Sequence, residues 1–149
     1  MDPSHVALLL WSALIFWVLG QIWMVQIVVY PLFAHVGRAE YVGYHLAYAR
    51  RIPWPVIVPG FASFVLPIPL ALLGPDVPPW MSAANVGAGL VGLLVTVILE
   101  IPRHAHLERG GKDGRVIAEL IRFNWPRTLS VSAQAAVTMA MLMEAHGAG

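Results

Sequence analysis

Residues 100–107 read EIPRHAHL, and they close an apolar segment that begins at Trp80. Residues 30–38, YPLFAHVGR, close the first apolar segment of the chain in a similar way. In both stretches a proline, a histidine and an arginine follow at least about twenty mainly apolar residues, the length of helix that crosses a bilayer core. The two stretches predict a small integral membrane protein whose polar chemistry is gathered at one face.

The composition of the chain is too apolar for a soluble globule of this size. It has 149 residues, of which 58% are hydrophobic and 11% charged, and its mean hydropathy is +0.71. The net charge of +1 gives no support for a nucleic-acid partner. There are no cysteines, which excludes disulfides and thiolate metal sites. We expect one integral membrane domain over residues 1–149.

The apolar pattern predicts an all-α fold with four transmembrane helices, at residues 6–34, 54–73, 80–99 and 125–143. Two short amphipathic helices, at residues 37–51 and 114–123, are predicted to lie at the membrane surface. The four prolines of the second span should make it the most irregular. Within the third span, small residues at intervals of four predict a close helix contact, and they are Ala84, Ala88 and Gly92.

Basic residues occur only in the connections after the first and third spans. They are Arg38, Arg50, Arg51, Arg103, Arg109, Lys112, Arg115, Arg122 and Arg127. By the positive-inside rule these connections are cytoplasmic and both termini lie outside. We therefore expect a multi-pass protein of a bacterial cytoplasmic (inner) membrane, with the lipid bilayer as its first partner.

The chain also matches itself at an offset of 71 residues. Between positions 31–55 and 102–126, nine of 25 residues are identical, where composition alone gives about two. This predicts a duplicated unit of span, surface helix and span, with repeats at about 5–74 and 79–145. Both copies run in the same direction, so the repeat is parallel. The alternative explanation for these identities is that unrelated membrane helices commonly end in the same residue types, without any duplication.

The two copies differ most in their polar residues, which predicts one functional pocket instead of two. Glu100 replaces Val29 and His104 replaces Phe33. Glu100 and His104 are four residues apart on one helix face, at the inner edge of the hydrocarbon. With Arg127 they are the candidate catalytic residues, as an acid/base pair or as metal ligands. A structural ion pair of Glu100 with Arg103 or Arg127 is the alternative.

Five further side chains at the same face are candidates for binding a flat hydrophobic molecule: Tyr44, His45, Tyr48, Asn124 and Trp125. Tyrosines at this depth also serve simply as interface anchors. His35 and His106 are related by the offset of 71 and are the candidate pair for a haem or a metal. Whether any cofactor is bound is left open by the sequence, because the histidine spacing is not a metal signature.

Several residues of the second half resemble the anthrone oxygenase-like family of small four-helix membrane proteins; they are Ile101-Pro102, Leu107, Asn124 and Arg127-Thr128. The family usually has Pro-x-Asn where this chain has Pro102-Arg103-His104. The resemblance implies cofactor-independent oxidation of an aromatic substrate, as in some members, with Pro102, Asn124 and Arg127 as the residues carried over. An Asn and an Arg at the inner boundary suit an enolate or phenolate oxygen.

Three functional hypotheses remain open from the sequence. The first is a protein that binds or oxidises a hydrophobic aromatic or quinone-like molecule at the cytoplasmic boundary. The second is a non-catalytic protein that forms a homodimer or is an accessory subunit of a larger membrane complex. A haem- or metal-binding protein is a variant of the first hypothesis. The third is half of a transporter, which the lack of charge in the middle of the spans argues against.

Overall fold

The computed structural model describes residues 2–147, and every secondary-structure element in that range is a helix. The helices are α1 (Pro3–Phe33), α2 (Tyr41–Arg51), α3 (Pro53–Val65), α4 (Pro67–Leu73), α5 (Pro79–Gly110) and α6 (Gly114–Gly147). By length and composition α1 and α5 can cross a membrane, and the bent pair α3 and α4 makes a third span if it is counted as one. The prediction of an all-helical fold is confirmed within residues 2–147, and two or three helices are long and apolar enough to cross a membrane.

The long helices pack side by side. Helix α6 lies against α5 and α1, while α3 lies against the other sides of the same two helices. One apolar core fills the end where α1 begins, and a second, which includes Tyr30, Phe33 and Tyr41, lies under α2. Large apolar side chains such as Leu10, Leu72 and Ile98 point outward. An apolar outer surface of this kind suits contact with lipid.

Three widened turns interrupt the long helices, and each ends two residues before a proline. The π-helical turns are Val25–Val29, Pro53–Ile57 and Thr96–Glu100, and the prolines are Pro31, Pro59 and Pro102. A proline ring collides with the carbonyl four residues earlier and cannot donate to it. A turn with one extra residue relieves the collision and lets the helix continue.

The second apolar segment is bent by 45° between α3 and α4, which confirms the prediction that its prolines make it irregular. Pro67 has no N–H for the Ser63 carbonyl, and the side-chain amide of Gln134 donates to that carbonyl at 3.0 Å instead. Pro59 likewise frees the Pro55 carbonyl, which accepts from the Trp17 indole at 3.0 Å. Neighbouring helices thus supply the donors that the prolines lack.

The predicted break between a second surface helix at 114–123 and a fourth span at 125–143 is wrong, because α6 is one helix of 34 residues. The first copy enters its span through Pro53 and Pro55, and the chain turns at Ile52. The second copy has Asn124 where the first has Pro53, so it retains only Pro126, and the helix continues through it. Helix α5 also extends past the predicted end at residue 99 to Gly110.

A short loop joins α5 to α6 and fastens the end of α1. Gly111 ends α5 with a φ of 76°, a conformation that glycine adopts readily. Next, Lys112 donates through Nζ to the carbonyls of Ala34 and Val36, at 2.8 and 2.6 Å. Carbonyls at a helix end lack intrahelical donors, so this lysine supplies them. The ends of α1 and α5 and the start of α6 therefore lie together.

The close contact between α3 and α5 forms at glycines, one position away from part of the predicted ridge. Gly89 and Gly92 are buried against Phe64, whereas Ala84 and Ala88 are only partly buried. A Cβ placed on Gly89 would lie 2.8 Å from the Phe64 carbonyl oxygen. Helix α5 thus approaches the backbone of α3 at a distance that only glycine permits.

Candidate functional site

A cavity of about 320 Å³ lies between the helices in the half of the molecule where α1 and α5 end. Its walls come from α1, α2, α3, α5 and α6, and most of them are apolar. The polar side chains that reach it are Gln21, Tyr30, Tyr48, Thr96, Glu100, His104, Glu108 and Arg127. An apolar pocket of this size with a few convergent polar groups is the usual form of a small-molecule site.

One face of α5 supplies half of those polar groups. Thr96, Glu100, His104 and Glu108 are spaced by four residues, so they form a single stripe along the helix. Glu100 is 1% exposed, and neither of its carboxylate oxygens has a hydrogen-bond partner within residues 2–147. A buried carboxyl group without partners is costly, which marks it as a site for a ligand or a proton.

The His104 ring is held from both sides. Its Nε2 lies 3.0 Å from the Tyr30 hydroxyl, and its Nδ1 lies 3.2 Å from Nε2 of His45. The Tyr48 ring stacks on it at a centroid distance of 5.9 Å and an interplanar angle of 21°. His104 is therefore fixed in orientation at the cavity wall, with both ring nitrogens engaged.

Arg127 enters the cavity from α6, opposite the stripe on α5. Its Nη1 donates to the Thr96 hydroxyl at 3.3 Å, while its Nε is buried without a partner in the described residues. The cavity therefore holds a guanidinium and a carboxyl group that both retain unused hydrogen-bonding capacity.

Helix α2 covers the cavity at this end and carries three of the predicted ligand-binding residues, two of which lie at or just behind the cavity wall. Tyr48 lines the cavity, whereas His45 lies one hydrogen bond behind it and is fully buried. Burial lowers the pKa of His45, and the nearby Glu108 carboxylate opposes this. Burial raises the pKa of Tyr48, and that of Tyr41 to about 12. These groups are therefore neutral near neutral pH.

The other predicted ligand-binding residues lie away from the cavity. Tyr44 is 40% exposed and turns its ring edge to Phe33. Asn124 is buried and donates to the Gln26 side chain at 2.7 Å, in a contact between α6 and α1. Trp125 is on the outer surface with its edge against Trp23. The geometry gives these three residues roles in packing, and their role in binding stays a prediction.

The two histidines of the proposed haem or metal pair are at the surface. His35 is exposed, and His106 lies 3.5 Å from Asp113 through Nε2. Across residues 2–147, no group of three or more His, Asp or Glu side chains is placed to hold a metal ion. A two-histidine site stays a prediction without a contact that supports it.

Four polar residues of the cavity were not among the sequence candidates: Gln21, Tyr30, Thr96 and Glu108. Thr96 and Glu108 continue the spacing of Glu100 and His104 by one helical turn in each direction, so the spacing itself was a usable signal. Tyr30 carries no such signal, because its position opposite His104 depends on how α1 packs against α5. Only the folded chain brings these two together.

Over residues 2–147 the fold and the site define an all-helical protein with helices long and apolar enough to cross a membrane and a partly polar cavity between them. Comparisons of the chain with protein-family models, with curated proteins and with solved structures find no match.

Proposed function

We propose that this protein binds a flat, hydrophobic aromatic or quinone-like molecule that carries a hydroxyl or carbonyl oxygen. The observation that carries the proposal is the cavity itself, with mainly apolar walls and with the unpartnered Glu100 carboxylate oxygens and Arg127 Nε inside. Phe61, Phe64 and Tyr48 provide aromatic surface in its lining. A flat ligand would gain most of its affinity from these walls and its orientation from the polar groups.

The polar groups fit a ligand oxygen that gains or loses a proton. The Arg127 guanidinium would stabilise negative charge on that oxygen, as preorganised donors do at a developing oxyanion. Glu100, or His104 through the Tyr30 hydroxyl, would accept its proton, which is general-base chemistry. The resemblance to the anthrone oxygenase-like family points to the same chemical class, an aromatic compound that is deprotonated before it is oxidised. Pro102, one of the residues carried over from this resemblance, causes the widened turn that ends at Glu100.

The proposed topology has four spans in the inner membrane, with α6 as the fourth and both termini outside. The polar side chains of α6 support this, because Thr128, Gln134 and Thr138 are fully buried against other helices. The polar residues that lower the hydropathy of α6 therefore lie on the face that packs against other helices. Since the chain has no cysteine, single-cysteine variants can report sidedness. An impermeant maleimide should label D76C and E144C in intact cells and R109C only after lysis; labelling of R109C in intact cells would contradict the topology.

A duplication is also part of the proposal. The widened turns Val25–Val29 and Thr96–Glu100 lie 71 residues apart, which is the offset found in the sequence. Trp54 and Trp125, equivalent under the same offset, are both at the outer surface. Each of these turns precedes a proline, so the matching turns follow from the shared Pro31 and Pro102, and the proposed duplication rests on the sequence match.

Binding is tested with menadione and naphthol, a quinone and a hydroxy-aromatic probe, on the full chain in detergent. Gly60 lines the cavity, and a Cβ there meets no atom within 4 Å, so G60L can add bulk at the cavity wall. Gly87 is equally open but lies outside the cavity, which makes G87L the matched control. We expect calorimetric binding to the wild type and G87L, at least about tenfold weaker in G60L. Equal binding to G60L and G87L, or none to any variant, would refute the proposal.

A further inference from the structure

Four side chains lie in a row from the cavity to the surface of the protein, with two contacts at hydrogen-bond distance and one wider gap at the outer end. The Tyr30 hydroxyl lies 3.0 Å from Nε2 of His104, and Nδ1 of His104 lies 3.2 Å from Nε2 of His45. On its far side, Nδ1 of His45 faces Oε1 of Glu108 at 3.9 Å. A small movement of the exposed carboxylate, or one water, closes that last step.

In each protonation state of this chain of four groups, the donors and acceptors allow only one direction for its hydrogen bonds. A neutral imidazole has one N–H and one bare nitrogen, and a carboxylate only accepts. With Glu108 ionised, His45 donates to it through Nδ1, His104 donates to His45 through Nδ1, and Tyr30 donates to His104. Reversing every bond gives the other allowed state, with the proton on Glu108. The chain therefore has two ordered states that differ by the transfer of one proton.

Its surroundings keep water away from the middle of the chain and leave the outer end wet. His45 is fully buried, and the Phe33 ring packs edge-on against both histidines, at 5.4 and 6.3 Å. The Tyr41 ring stacks on His45 from the other side. In contrast, the Glu108 side chain is 38% exposed. Glu108 also lines the mouth of the cavity, but a ligand that fills the cavity displaces water from that direct route.

We infer that Tyr30, His104, His45 and Glu108 are a proton path between a ligand in the cavity and the surface of the protein at the end where its basic residues lie. A ligand hydroxyl gives its proton to the Tyr30 oxygen as the Tyr30 proton moves to His104 Nε2. The Nδ1 protons of His104 and His45 then move to His45 Nε2 and the Glu108 carboxylate. One proton is transferred, both histidines end neutral in the opposite tautomer, and no electrons move.

This inference rests on the proposed function, because the inner proton belongs to a hydroxyl-bearing ligand. Other titratable or charged groups also face the two histidines from the helices around them, and they are Tyr41, Tyr48, Glu100 and Arg127. None of them bridges His45 to the surface. Among the described residues, only Glu108 therefore connects His45 to the surface.

The first test needs no ligand. Nitrogen NMR of histidine-labelled protein should show one Nδ1–H tautomer for His45 and for His104, with a coupling across their N–H···N bond. E108L removes the acceptor that orders the chain, so the single Nδ1–H tautomer of His104 should be lost although Glu108 does not touch His104. E144L makes the same change at an exposed carboxylate outside the chain and should leave both tautomers unchanged. An unaltered His104 tautomer in E108L would overturn the path.

The second test measures transfer. Naphthol bound to the full chain changes its absorption when its hydroxyl ionises, so a pH jump reports how quickly the cavity exchanges protons with bulk water. We expect the ionisation to slow at least about tenfold in E108Q and to recover in E108D. E144Q carries the same charge change on an exposed carboxylate near the C-terminus and should behave as the wild type.

Equal rates in E108Q and E144Q would also overturn the inference, because protons would then reach the ligand through the mouth of the cavity. The two failures are distinguishable. If naphthol does not bind the wild type, the proposed function is wrong, and the tautomer of His104 in E108L still decides whether the path exists.

Discussion

Gln134 should be one of the most important single side chains for the stability of this fold, and Q134L tests that. Its Nε2 donates to the Ser63 carbonyl at 3.0 Å and to the Asn85 carbonyl at 3.1 Å, in a fully buried position. Leucine has a similar volume but cannot donate. The Asn85 carbonyl lies inside the regular helix α5, whereas the Ser63 carbonyl has lost its backbone donor to Pro67.

The expected cost follows from that difference. An ordinary hydrogen bond between membrane helices contributes about 0.6 kcal/mol. Leaving a buried acceptor without any donor costs more, about 1–3 kcal/mol. We therefore expect Q134L to lower the free energy of unfolding by about 1–3 kcal/mol. The assay is reversible unfolding in mixed detergent micelles, followed by circular dichroism.

Two companion variants separate the hydrogen bond from other effects. In a P67A background the alanine N–H can return to Ser63, so Q134L should cost at least about 1 kcal/mol less there. Gln21 lines the cavity and its Oε1 has no partner in the described part of the chain, so Q21L should change stability by less than about 0.5 kcal/mol. If the Q134L and P67A effects simply add, the compensation argued here is wrong.

Three further predictions concern packing, the interhelix loop and pH. G89A should destabilise the protein by about 1–3 kcal/mol, because the new Cβ meets the Phe64 carbonyl; G87A, which meets nothing, is its control in the same unfolding assay. K112M leaves the two carbonyls at the end of α1 without their donor and should cost about 0.5–1.5 kcal/mol, with K112R preserving most of the stability. Burial lowers the pKa of His45 from 6.5, so as the pH falls the unfolded chain binds a proton at this residue before the folded chain does, and the free energy of unfolding should fall as the pH drops through 6.5. H45Q should flatten this dependence of the free energy of unfolding on pH, measured in unfolding curves across the same range. An unchanged dependence in H45Q would contradict the assignment.

Much of the helical architecture is readable from the sequence, because long apolar runs and their polar ends are governed by the bilayer and not by tertiary detail. The irregular second segment was predictable for the same reason, since four prolines cannot form one straight helix. The continuous α6 was not. Whether Pro126 ends a helix depends on its neighbours, and Asn124 removed the second proline that breaks the chain in the first half.

The candidate site was only partly predictable. Glu100 and His104 share a helix face whatever the tertiary fold, so their pairing follows from spacing alone. The contact of His104 with Tyr30 and His45 depends on three helices meeting, and no local pattern contains it. Asn124 looks like Glu100 in sequence, a polar residue at a membrane boundary, yet its amide is used in a contact with Gln26. Sequence shows which residues are unusual, and packing decides which of them remain unpartnered.

The prolines connect the fold to the site. Each of the three widened turns contributes lining to the cavity: Val25 from the first, Ile57 from the second, and Thr96 with Glu100 from the third. A turn with an extra residue bulges and rotates the helix beyond it, and such turns are frequent at functional sites. Three of them on α1, α3 and α5 border the same cavity, because each precedes a proline at a similar depth. The prolines that prevent regular packing of these helices thus help to keep a space open between them, and Glu100, the last residue of the third turn, lines that space without a partner.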